Sequence, residues 1–104
     1  TGYVNASRAR TLLMQQTAAV FEKVDVIISP SFRGNSLRIT NLTGHPSVTM
    51  PNRFDRLEDE PNSVRRQPGS ITFIGQLYQD EAVLAVASLY QSRTTFNRKR
   101  PPIA

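Results

Sequence analysis

At 104 residues the chain has room for one domain, and 38% hydrophobic content limits it to a modest core. Thirteen Lys and Arg against eight Asp and Glu give a formal charge of +5. The arginines are scattered, only Arg98, Lys99 and Arg100 form a group, and without aromatic interleaving the charge does not favour nucleic acid over a solvated or partner-docked surface. The absence of cysteine excludes disulfides, thiolate metal sites and a thiol nucleophile. No apolar run approaches the roughly 18 residues of a membrane span. With Thr1 at the start and no charged-then-apolar leader, the chain reads as processed or as a piece of a longer cytoplasmic one.

In chain order, "NASRARTLLMQQTAAVFEKV" predicts a helix capped at Asn5 or Ser7. Ala9, Leu12, Leu13, Val20, Phe21 and Val24 recur near a 3.6 period and form a face that needs a cover. "DVIISP" follows as a short β-branched strand of the kind buried on both faces, stopped by Pro30. Ser31 to Arg38 reads as loop. "NLTGHPSVTMP" then gives a turn, with Gly44 for a positive φ and Asn41 and Thr43 for side-chain-to-backbone bonds. A strand over Ser47 to Met50 is bracketed by Pro46 and Pro51. Residues 53–69, polar and rich in charge, predict an exposed loop. "SITFIGQLY" alternates as a strand, and "QDEAVLAVASLYQSR" is a helix with Asp80 and Glu81 at its positive end. "TTFNRKRPPIA" is a tail that wraps or frays.

The resulting order of helix, three apolar strands and helix is a layered α/β arrangement, thin for a free-standing domain. Chemistry within it is sparse. His45 is the only histidine, and an adjacent Thr43 or Ser47 in an extended segment does not build a triad. One histidine and no cysteine leave only the solvated carboxylates of "DRLEDE" for a metal, so none is expected. The glycines stand singly, without any phosphate-binding spacing.

Taken together, "DVIISP", "NLTGHPSVTMP", "GSITFIGQLYQDEAVLAVASLYQ" and a terminal "RPP" resemble the C-terminal end of amidase-signature enzymes. That family includes bacterial amidases and the A subunit of tRNA-dependent amidotransferases. The matching positions are Asp25 to Pro30, then Asn41, Gly44, Pro46 and Pro51, then Ile74, Gly75, Asp80 and Glu81. Residues 53–68 match least.

The resemblance implies an α/β/α layered fold with a mixed β-sheet covered by helices, of which residues 1–104 are one segment. It implies hydrolysis of an amide, or transfer of its nitrogen, by a serine nucleophile with a second serine on a cis peptide and a lysine, and no cofactor. The Gly/Ser-rich region that carries those serines is not in this sequence, and Lys23 and Lys99 lie in a helix end and the tail. No catalytic residue is therefore carried over. The substrate-pocket candidates are Asn41, Gly44, His45 and Pro46, with Gly44 and Pro46 expected mainly to set the turn. The expected partners are the N-terminal remainder of the same protein and, through it, a small amide. A non-catalytic α/β module with a basic tail for protein or tRNA is the alternative.

Overall fold

The computed structural model describes residues 1–31 and 35–101. Its elements are α1 (Gly2–Phe21), β1 (Val26–Pro30), α2 (Ser36–Thr43), β2 (Ser47–Arg56), β3 (Arg66–Gly75) and α3 (Asp80–Ser92), followed by a 3-10 turn over Phe96–Arg98. The strands form one antiparallel sheet in the order β1-β3-β2. The α/β class holds, and every ladder among the described residues is antiparallel.

Strand alternation assigns each side chain to one of two faces. Val26, Val48, Met50, Ile71 and Phe73 share the face covered by α3, where Met50, Phe73, Val83 and Ala87 are buried together. Tyr90 meets Phe73 edge-on at 5.6 Å. Ile27, Ser29, Ser47, Thr49, Thr72 and Ile74 share the opposite face, beneath α2 and the C-terminal half of α1. On that face a row of hydroxyls crosses the sheet, Ser31 to Thr72 at 2.7 Å and Thr72 to Thr49 at 3.0 Å. Helices on both faces make three layers.

Gly75 fits a crowded position. A Cβ there sits 3.1 Å from Val83 Cβ and 3.6 Å from Pro46 Cγ, while its N–H donates to Pro46 O at 2.9 Å. The strand ends at Gly75 rather than running on to Tyr78, which takes φ 62° in the turn into α3. An exposed tyrosine in that region is costly, about 1–2 kcal/mol.

Four expectations change. First, α1 starts at Gly2 instead of at Asn5 or Ser7, and only Phe21 of its apolar face is buried; Leu12 is 55% and Val20 48% exposed. Second, part of the expected loop over Ser31 to Arg38, and the "NLT" of the expected turn, form α2; residues 32–34 lie outside the described part. The hydroxyls of Thr40 and Thr43 donate back to Leu37 O and Ile39 O, and Arg10 Nε donates to Leu42 O at 2.6 Å, a bond from α1 that local propensity does not register. Third, β1 is not covered on both faces: it is a sheet edge, and Ile28 is 61% exposed. Fourth, residues 53–69 are not all loop. β2 and β3 pair through Arg53–Gly69, Phe54–Pro68, Asp55–Gln67 and Arg56–Arg66, leaving 57–65 as the connection. Pro51 does not stop β2, because β2 is an edge strand and a bulge between Pro51 and Arg53 absorbs the proline. The tail wraps, with Phe96 tilted on Phe54 at 6.4 Å.

The molecule is open for its size. A compact chain of this length has a radius of gyration of about 13 Å, against 17.3 Å here. Its 8279 Å² of accessible surface exceeds by roughly 2,400 Å² the value of about 5,900 Å² for a folded monomer of 11.7 kDa.

Phe73→Ala removes the centre of the α3 face and is expected to lower stability by about 3–5 kcal/mol in denaturant unfolding, a large share of a domain's usual total of about 5–15 kcal/mol. Gly75→Ala is expected to destabilise by about 1–3 kcal/mol through overpacking against Val83, with Gly69→Ala much milder because only the flexible Arg53 side chain must move.

Candidate functional site

The site is built by the end of α2. Gly44 adopts φ 81° as the left-handed C-cap, its N–H bonding Thr40 O at 2.9 Å, and the chain reverses there. The reversal folds His45 back against the last residue of the helix. Thr43 Oγ1 lies 2.6 Å from His45 Nδ1 and 2.8 Å from Ile39 O.

A threonine hydroxyl has one proton. Thr43 donates it to the Ile39 carbonyl, so its oxygen accepts from His45 Nδ1–H. With the Thr43 proton on the Ile39 carbonyl, the neutral tautomer assigned to His45 carries its proton on Nδ1 and leaves Nε2 as the acceptor. Burial, with the residue 7% exposed, pushes the His45 pKa below its ordinary value of 6.5 because the charged form loses hydration. Phe21 stacks on the ring at 5.0 Å and 13°, closing its other side.

His45 lies in the wall of an open groove of about 370 Å³ between α1, β1 and α2. Val20, Phe21, Ile27, Ile39 and Ile74 are apolar walls of it. Of the polar residues that line it, Thr17 Oγ1 donates to Leu13 O, Thr40 Oγ1 to Leu37 O and Ser29 Oγ to Pro30 O, and Gln16 and Ser36 lie there too. Among the described residues, His45 Nε2 has no recorded hydrogen-bond partner.

The four candidates are thus not a cluster. His45 alone lines the groove. Pro46 is half-buried against Gly75 and bonds it through its carbonyl; Gly44 is the exposed cap; Asn41 is on the exposed side of α2. Thr43, expected from the sequence to bond backbone, does so at Ile39 O and also sets the imidazole, because the helix end and left-handed turn bring together what an extended segment separates. The stacking of Phe21 on His45 and the Ser31–Thr72–Thr49 row left no signal in sequence, since their partners are fixed by tertiary packing. Lys23 and Lys99 are exposed. Among the described residues no helix is long and apolar enough to cross a membrane.

Because the folded state holds the His45 proton more weakly than the unfolded chain, its contribution to stability is complete above pH of about 6.5 and is lost as pH falls from there toward the lowered folded pKa. Unfolding midpoints measured from pH 8 to 5 are expected to fall for the native sequence and to lose this component in His45→Gln. Thr43→Val, which leaves Nδ1–H without its acceptor, is expected to lower stability by about 1–3 kcal/mol, whereas Thr43→Ser retains the bond.

No family model matches the chain, and no solved structure matches it. Curated relatives do. The A subunit of glutamyl-tRNA(Gln) amidotransferase from Synechococcus sp. (strain JA-3-3Ab) is 29% identical over 119 residues, covering 97% of this chain and 22% of the relative. The protein of the same name from Listeria welshimeri is 28% identical over 118 residues, covering 95% of this chain and 23% of the relative. That from Acinetobacter baylyi is 28% identical over 120 residues, covering 98% and 23%. The chain thus spans less than a quarter of the length of these relatives. Over 95–98% of its length the chain is thus similar to one portion of these A subunits, and its α/β build is consistent with a C-terminal segment of an amidase-signature protein.

Proposed function

We propose that this chain is the C-terminal segment of a cytoplasmic protein that hydrolyses a carbon–nitrogen amide bond or transfers its nitrogen. The reaction is carried by chain outside these 104 residues. A serine nucleophile, a second serine on a cis peptide and a lysine supply the acyl-transfer chemistry there. This segment contributes an antiparallel part of the sheet, helices on both faces, and the corner at Asn41, Gly44, His45 and Pro46. Gly44 and Pro46 shape that corner, and His45 is its one side chain that reaches an opening. The partner is the N-terminal remainder of the protein; the substrate is a small amide; no cofactor takes part.

The observation that carries the reading is the surplus surface. Roughly 2,400 Å² beyond that of a compact monomer is the scale of an obligate interface, not of a transient one. Apolar side chains of α1, β1 and α3 are part of the exposed surface: Leu12, Val20, Ile28, Leu84 and Leu89 are each about half exposed or more.

The test compares the 104-residue chain with a longer protein that carries it, using a chromogenic amide. The longer protein is expected to hydrolyse the amide and the chain alone to be inert. Turnover by the chain alone, or an inert longer protein against a panel of small amides, overturns the reading.

A further inference from the structure

We propose that the groove between α1, β1 and α2 is the seat of an apolar segment from the remainder of the longer protein, and that this segment donates one hydrogen bond to His45 Nε2. The inference rests on the chain being part of a longer protein, and not on the reaction that protein performs.

The groove specifies its occupant. Val20, Phe21, Ile27, Ile39 and Ile74 offer dispersion contacts and nothing polar to a guest. The hydroxyls of Thr17, Ser29 and Thr40 already serve carbonyls of their own segments. Gln16, Ser36 and His45 are the lining residues whose polar side chains have no such bond to a carbonyl, and of these His45 alone is buried. The imidazole is 7% exposed, clamped by Phe21 on one face and by Thr43 at Nδ1, and its second nitrogen has no recorded partner among the described residues. With Nδ1 carrying the proton, Nε2 can only accept. The groove therefore suits aliphatic or aromatic side chains accompanied by one N–H or O–H. A carboxylate meets no cation there and loses its hydration against apolar walls. A free ammonium loses its hydration against apolar walls.

Size separates a chain segment from a small molecule. A ligand filling about 370 Å³ leaves most of the surplus roughly 2,400 Å² uncovered, including Leu12 beside the groove on α1. Relatives in which a matching stretch is 22–23% of the length have ample further chain to cover it. Leaving an acceptor buried without a donor under that cover carries the full desolvation penalty of the group, so the covering segment is selected to bring a donor.

The experiment places single cysteines in the longer protein at groove positions, Val20→Cys on α1 and Ser29→Cys on β1. Val64→Cys, at a position 76% exposed in the β2–β3 connection, is the control. Maleimide labelling is followed peptide by peptide. The groove cysteines are expected to react about 100-fold more slowly than the control at every protein concentration, as a site reached only by local opening does. His45→Ala is expected to raise the groove rate about tenfold, and His45→Gln, which restores an acceptor, to stay within about twofold of the native rate. Groove cysteines reacting at the control rate overturn the proposal. So does protection that grows with protein concentration, which identifies a second copy, or protection that requires an added small amide, which identifies a ligand. Protection indifferent to both histidine variants overturns the hydrogen bond. If His45→Ala fails to fold, the cysteine rates in the native background and the His45→Gln variant still decide. Loss of amide hydrolysis with the groove protected counts against the reaction alone.

Discussion

β3 is the strand on which everything else is hung. It pairs with β1 on one side and β2 on the other, and its alternating side chains face two different helical layers. Ile71 and Phe73 anchor α3, while Thr72 and Ile74 meet the α1–α2 side. Gly75 then lets three elements converge at one point, since a methyl group there would crowd Val83 at 3.1 Å and make a neighbour shift. The two layers are unequal. The α3 face is dry and close-packed, whereas the other face is a row of hydroxyls and a groove only partly roofed by two helices. That asymmetry is what makes the chain read as part of something larger.

Sequence revealed those elements whose periodicity and local chemistry agree. The apolar stripe and acidic first turn of α3, the run "VIIS" of β1 and the alternation around Phe73 are each specified by their own residues. Where tertiary contacts decide, the pattern misleads. "SLRITNLT" is rich in residues that disfavour helices, and is helical with Arg10 reaching across from α1 to Leu42 O. The prolines flanking "SVTM" are strand-breakers only for a central strand, and β2 turned out to be an edge. The charged stretch after Pro51 hid four more ladder pairs because Arg, Asp and Gln carry no strand signature on an exposed hairpin.

At the site, the positive φ at Gly44 was readable from the glycine itself, and the singular status of His45 from composition. The roles of the neighbours were not. Asn41 has the chemistry to pin a turn, but the helix carries it to the outer side. Thr43 becomes the partner of His45 only because a helix terminus and a left-handed residue fold the chain through a tight reversal. A resemblance spread over four stretches pointed to a family, and atomic placement was needed to show which of the four corner residues faces an opening.

The position of β1 also bears on how the chain is made. The β2–β3 hairpin closes across residues 57–65, a short loop, but Val26 must find Gly75, 49 positions later. Closure of the longer loop costs more entropy and comes later. During synthesis at about 5–20 residues per second, β1 emerges roughly two to ten seconds before its partner strand exists. Throughout that interval Val26, Ile27 and Ile28 have no ladder to join, which makes this short segment the stretch most in need of a chaperone's cover on the ribosome.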